Sequence, residues 1–473
     1  MQSVLANLMH SNSSPRLRKP LGTFYCWTTG LWCISGGTGT IGGSMSRRQV
    51  IPPFQAPGGD RKSVFMTTGY VRLSLLVAVA VLSPEPVSAE TQDRGFFSEF
   101  EYLVEPSLVI TQAYDDNIYR ESSDDLIEND WITTLSPQLK LGMGRGSFRG
   151  IVDLGYTAGR YAEESVNDYD DYGTALNVRW ELDHRNELAF ISRYDLRHEA
   201  RGTGLTEDNP DLVDEPIEYS ETYYEGRYQL GSRNSIGRLT LALSQNDKQY
   251  ENFTSLTSRR DYLLTQAEAD FSYQVAGRTR AQVAWIVGEV EYDNNPEAVA
   301  GAPDTLDSDT NEWLLGVDWN ATGKSNASIL VGYREKDFVD PDREDFSGPS
   351  WQVDARWAPR TYMAFTLATS REDRETNGEG SFIDTRRYNL GWETEWSSRF
   401  GSELALARSV NDYQGSQSGR TDTNVTTSFE LEYNMRYWLR LGLRLLHQDN
   451  DSDVDNFDYK RKLALVYVDI AAD

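Results

Sequence analysis

Thiols are almost missing from this 473-residue chain. Its two cysteines, Cys26 and Cys33, both lie near the front. Downstream of them no disulfide framework and no thiolate metal site can form. Histidine is scarce as well, with four in the whole chain. Basic side chains are outnumbered, 46 against 73 acidic, for a formal net charge of −27. That balance argues against a nucleic-acid partner, whose phosphates require Lys and Arg. No stretch approaches the roughly 20 consecutive apolar residues of a membrane helix. What remains is rich in Tyr (26) and Trp (12), residues suited to strands and to membrane interfaces.

The longest apolar run sits in "MTTGYVRLSLLVAVAVLSPEPVSAE", starting at Met66. Arg72 precedes an apolar core from Leu73 to Leu82, and Val87-Ser88-Ala89 forms a small-residue cleavage site. This pattern predicts a signal peptide over 66–89, cut after Ala89, with 1–65 a mis-assigned or extended leader and 90–473 the exported protein. Export removes both cysteines and leaves 38 basic against 71 acidic residues, a net of −33. The leader's "GTGTIG" (Gly37, Gly39, Gly42) matches a dinucleotide fingerprint in form only. Pro52 and Pro53 follow closely, and no helix pattern appears.

From about residue 100 the chain repeats one unit. Strand-like stretches alternate with long loops rich in Asp, Asn and Ser and with tight turns. The turns read "GRGS" (144–147), "DHRN" (183–186), "GSRN" (231–234), "AGRT" (276–279), "GKSN" (323–326), "APRT" (358–361), "SSRF" (397–400) and "YNMR" (433–436). Long segments include 114–130, 201–216, 293–310 and 411–423. Eight turns and nine loops predict eighteen strands.

Within the strands apolar and polar residues alternate, as side chains on a strand do between its faces. In "RYWLRLGLRLLHQDN" (436–450), Leu439, Leu441, Leu443 and Leu445 fall on one side and Arg440 and Arg444 on the other. Trp313, Leu315, Val317 and Trp319 likewise oppose Glu312 and Asp318. A propeller would need a recurring four-strand blade motif, which is missing. Apolar-out and polar-in faces, an even strand number, an export signal and alternating loop lengths predict an all-β transmembrane antiparallel up-and-down barrel in the Gram-negative outer membrane. In lipid every backbone group must be paired, so the sheet must close.

The first strand, "EPSLVITQAYDDNIYR" (105–120), is followed by Asp130-Trp131, "SPQLKL" (136–141) and "LGYTAGRYAEESVNDYDDYG" (154–173). In these features the chain resembles the second β-barrel porin family, outer-membrane barrels found with exopolysaccharide and capsule operons. The resemblance implies a conduit for exported polysaccharide, working with periplasmic and inner-membrane secretion components and embedded in lipid and lipopolysaccharide. It brings no catalytic residue and no cofactor. Barrels of this kind usually finish on an aromatic residue, whereas this chain ends "LALVYVDIAAD", with Tyr467 six residues before the end.

The alternation points twelve acids and eight arginines inward. They are Asp153, Arg179, Glu181, Arg193, Asp195, Arg197, Glu225, Arg227, Glu268, Asp270, Asp318, Arg334, Asp354, Arg356, Glu393, Glu395, Glu430, Glu432, Arg440 and Arg444. Mixed signs suit hydrogen bonding to a hydroxyl-rich sugar, and equally suit bracing between neighbouring strands. A general diffusion porin or a surface structural barrel is the alternative function. A surface hydrolase ranks last, because His184, His198 and His447 come without a serine motif and read as rim residues. Asp451, Asp453 and Asp455 are spaced like the opening of a calcium loop. Asn456 stands where its glycine belongs and Lys462 where its glutamate belongs, so the sequence predicts a solvated loop.

Overall fold

A computed structural model describes residues 97–232, 235–293, 305–322 and 324–471. The leader, the signal peptide 66–89 and its cleavage site lie outside the described residues. Eighteen strands follow one another. They are β1 Phe97–Asp115, β2 Asp130–Gly146, β3 Phe148–Tyr161, β4 Tyr169–Glu181, β5 Asn186–Glu199 and β6 Ile217–Leu230. Next come β7 Gly237–Tyr250, β8 Tyr262–Ala276, β9 Thr279–Tyr292, β10 Ser308–Thr322, β11 Ser325–Phe338 and β12 Phe346–Arg360. The series ends with β13 Met363–Glu375, β14 Phe382–Glu395, β15 Phe400–Gln414, β16 Thr421–Arg436, β17 Leu439–Ser452 and β18 Tyr459–Ala471.

Each strand pairs antiparallel with its sequence neighbours, and β1 pairs with β18 from Ser107↔Ala471 to Asp115↔Leu463. The ring is therefore closed, and no strand leaves a free edge to lipid.

The register carries one face right round the ring. Trp313 of β10 stands opposite Trp285 and Tyr333, and that side continues through Trp351, Leu367, Leu390, Leu406, Phe429, Leu445 and Ala464. Its large apolar side chains are widely exposed, Leu315 at 59% and Val466 at 54%, as a lipid-facing surface requires. Exposed aromatics gather near both ends. Trp131, Tyr172 and Trp313 lie toward the long loops, and Trp180, Trp319 and Trp357 toward the short turns. These are the two girdles of a membrane barrel.

Some strands run further than the sequence suggests. The segment 411–423 reads as loop, yet β15 and β16 stay paired through Asp412↔Thr421 and leave only 415–420 outside the strands. Polar side chains outside a membrane do not break a ladder whose backbone bonds are all made. The last tight turn also moves, from 433–436 to Tyr437 and Trp438, because β16 continues to Arg436. Among the described residues, one short α-helix, Thr254–Thr257, and five single-turn 3-10 segments interrupt an otherwise all-strand reading.

The end of the chain closes without a terminal aromatic on the lipid side. The register turns Tyr467 inward, opposite Gly442 of β17. A Cβ on Gly442 would lie 2.1 Å from the tyrosine ring, so the ring fills the space that glycine leaves. The Tyr467 hydroxyl donates to Glu430 at 2.7 Å.

Candidate functional site

The side opposite the exposed hydrophobics carries the charged residues singled out above. Several bond across strands, and others along a single strand. Arg179 pairs with Glu187 at 3.2 Å, Arg197 with Asp195 at 3.3 Å and Arg227 with Glu225 at 2.6 Å. Arg444 donates to Glu430 at 2.6 Å, and Arg440 lies 3.3 Å from Glu432 and 3.1 Å from Asp469. Arg356 pairs with Glu393, and Arg334 with Asp373. Arg193 sits over the Tyr223 ring at 4.5 Å. Gln282 donates to Asp318, and Gln352 to Asp354. Glu181 is half-buried at the turn end of β4. Glu268 and Asp270 are buried together on β8, and neither reaches a cation at ion-pair distance among the described residues.

Toward the long loops the ring changes character at two seams. Pairing between β12 and β13 stops at Trp351↔Arg371, although β12 begins at Phe346 and β13 runs on to Glu375. Above that point β13 and β14 remain paired to Glu375↔Phe382 and lean onto the inner face of β11 and β12. Lys336 of β11 reaches Glu375 at 2.8 Å and Asp373 at 3.3 Å. Tyr292 of β9 donates to Glu375 at 2.6 Å. Phe382, 1% exposed, packs its ring 5.1 Å from Phe346 and 6.1 Å from Phe338.

The second seam lies between β4 and β5. Their pairing ends at Tyr172↔Leu196, while β5 and β6 continue to Glu199↔Ile217. Here His198 stacks on Tyr169 at 3.7 Å, and its Nδ1 lies 2.9 Å from Asp171. The carboxylate partner is thus Asp171 rather than the sequence-adjacent Asp195 or Glu199. The other ring nitrogen meets no hydroxyl nucleophile among the described residues. Glu199 accepts from Tyr250 at 2.7 Å and lies 3.4 Å from both Lys248 and Arg260.

These two leaning hairpins stand nearly opposite each other, six strands apart one way round and eight the other. Their tips meet. Asn377 donates to Glu207 at 3.1 Å, and a Cβ on Gly378 would lie 3.2 Å from Leu205. Arg420, from the β15–β16 loop, joins them, 3.0 Å from Glu207 and 3.3 Å from Glu379. Behind the first tip, Gly202 (φ +77°) packs so close to Tyr119 of the β1–β2 loop that a Cβ would collide with its carbonyl. Arg201 donates to the Tyr119 hydroxyl at 3.1 Å. Val213, Ile217 and Tyr250 form an apolar cluster beneath, with Leu205 and Phe253 against it. The mouth is therefore roofed by packed side chains.

Two loop carboxyls have opposed electrostatics. Burial pushes the Glu207 carboxyl above the usual glutamate range, with Arg420 opposing. Burial would raise Glu379 too, but hydrogen bonds from Ser416, Ser418 and Arg420 hold it below that range. As for metals, no group of three His, Cys, Asp or Glu is placed to hold an ion among the described residues. Asp451 and Asp453 fall in and beside the end of β17, and Asp455 begins a short 3-10 turn.

A closed eighteen-strand wall with two girdles and one face of charge is the frame in which the sequence comparison falls into place, for one family description matches residues 101–472. The chain belongs to the family described as "Putative beta-barrel porin 2". It is thus an outer-membrane β-barrel of porin-like fold, from a family of channels. No curated protein matches it in sequence. Among solved structures it is similar to the outer membrane protein OpdK of Pseudomonas aeruginosa, at 12% identity over 78% of this chain and 99% of that one, with a TM-score of 0.45. OccAB3 of Acinetobacter baumannii matches at 11% identity over 79% and 99%, TM-score 0.44. The FrpB iron transporter of Neisseria meningitidis matches at 8% over 73% and 62%, TM-score 0.42. At such identities the likeness concerns fold alone.

The leaning hairpins escape the sequence reading, yet β13 carries a signal for them. "SREDRE" (370–375) has charge on both strand faces, so neither can face lipid.

Proposed function

We propose that this porin-family barrel is a gated outer-membrane conduit in the export of exopolysaccharide or capsular polysaccharide. The roofed mouth is the observation that carries the reading. A pore for constant diffusion of small solutes gains nothing from two hairpins latched across its opening, whereas a polymer conduit must stay shut between cargoes. An inner wall of both charge signs can hydrogen-bond hydroxyl-rich sugar along its length. Arg179, Arg193, Arg227, Arg356 and the acids around them then act as selectivity residues. The extensive pairing of those same residues favours a second reading, a surface barrel whose inner charges brace the wall.

Deleting the gene separates these readings. An export conduit loses polymer outside the cell, accumulates it in the periplasm and leaves small-solute permeability unchanged. Unchanged polymer with slower sugar uptake would leave an ordinary diffusion porin. No change in either would leave the structural barrel.

A further inference from the structure

Charge is distributed unequally between the two ends of the barrel. The long loops are rich in acids, with five in 116–129 and five in 200–216. Every one of the eight tight turns quoted above contains an Arg or Lys. In a chain with a large acidic excess, a basic residue in each turn is not a composition effect. Arg185, Arg278, Lys324, Arg360, Arg399 and Arg436 stand exposed at six of these turns, spread round the ring. Asp183 is the one acid in the connecting residues of the turns, among the described residues.

The height of these cations decides what they can meet. Five exposed girdle aromatics of this rim lie within five residues of one. Trp180 precedes Arg185, Tyr273 precedes Arg278, Trp319 precedes Lys324, Trp357 precedes Arg360 and Trp396 precedes Arg399. Interfacial Trp and Tyr rings sit at headgroup level. The cations therefore stand at the phosphate layer of the leaflet on the short-turn side, which in such barrels is the periplasmic one.

We propose that the turns form a cationic collar that binds the phosphates of anionic phospholipid headgroups in the periplasmic leaflet. A strongly acidic barrel needs such a collar, since its other charges repel that leaflet. A nearby Lys or Arg is worth about 1 kcal/mol toward an anionic membrane, so roughly a fivefold preference for an anionic over a zwitterionic lipid is expected.

The test uses the full-length barrel, extracted and reconstituted into phosphatidylcholine vesicles. Spin-labelled phosphatidylglycerol and spin-labelled phosphatidylcholine then report the fraction of each held at the protein. The variant combines Arg185→Gln, Arg278→Gln, Lys324→Gln and Arg399→Gln. A second variant keeps the charge with Arg185→Lys, Arg278→Lys, Lys324→Arg and Arg399→Lys, and both are checked for heat-modifiable gel mobility. The expected result is about a fivefold preference for phosphatidylglycerol, kept by the charge-conserving variant and lost in the glutamine variant. Equal retention of both lipids by the unaltered barrel would overturn the proposal, as would a preference that survives neutralisation. So would loss of binding to a soluble uronate polymer with lipid preference intact, which would make the turns a polymer entry port.

Discussion

Single residues matter most where the ring closes. Asp115 of β1 is fully buried and pairs with Arg461 of β18, whose Nε lies 2.8 Å from its carboxylate. Removing one partner of a buried pair strands the other charge, at a cost of about 3–5 kcal/mol. Asp115→Ala should therefore lower the unfolding free energy read from denaturant titration by that amount, with Arg461→Met/Asp115→Leu recovering much of it. Gly442 offers a second test. Gly442→Val sets a branched side chain into the Tyr467 ring and should cost about 1–3 kcal/mol, the usual range for overpacking. Loss of the heat-modifiable gel shift at lower temperature would register it. A third residue tests the membrane face. Leu443→Arg puts charge toward lipid and should cost about 2–4 kcal/mol, while the adjacent Arg444→Leu should leave membrane insertion intact.

Among the elements, the β13–β14 hairpin is the part to perturb. It is held against β9 and β11 by two carboxylates, Asp373 and Glu375. Asp373→Asn with Glu375→Gln should weaken that hold and raise the conductance of the reconstituted barrel. Cross-linking Glu207→Cys to Asn377→Cys with a short bis-methanethiosulfonate, which joins the two thiols through reducible disulfides, should keep conductance low until reductant is added; the same conductance before and after would mean that the roof does not obstruct the pore. The tip should also respond to pH. Because the Glu207 carboxyl is raised in the closed form, the stability it contributes is present below the ordinary glutamate value and is lost as pH rises through its folded value. Glu379 is depressed, so its contribution is present above the ordinary value and is lost as pH falls through its folded one. The roof should hold best between these two values and loosen on either side, and Glu207→Gln should abolish the upper limb in single-channel recordings.

This hairpin also marks where sequence reading ends. Period-two patterns place Leu439, Leu443, Trp313 and Leu315 on the lipid side without ambiguity, since lipid rejects charge along the whole membrane height. Above the membrane both faces are polar, and the pattern no longer says which way a strand leans. Arg371 and Asp373 follow the same parity as Leu367, yet they pack against the inner face of β11 and β12. Only the pairing that stops at Trp351 reveals it. The partners of the inner-wall charges are unreadable for the same kind of reason. Arg334 finds Asp373 two strands away, a choice set by strand stagger rather than by spacing.

On the scale of the whole molecule, seventeen of the eighteen strand contacts join neighbours in sequence, and one joins the ends. Hairpins need little chain entropy to form, but bringing Ser107 beside Ala471 constrains every residue between them. Closure should thus be the last and slowest event of assembly. Until it happens β1 and β18 each expose a bare edge, and such edges pair with whatever strand is offered. The terminal strand is in that sense a zip-fastener's slider: a chain stopped short of Tyr459 would hold seventeen formed strands and still be a sticky, open sheet that cannot be left in lipid.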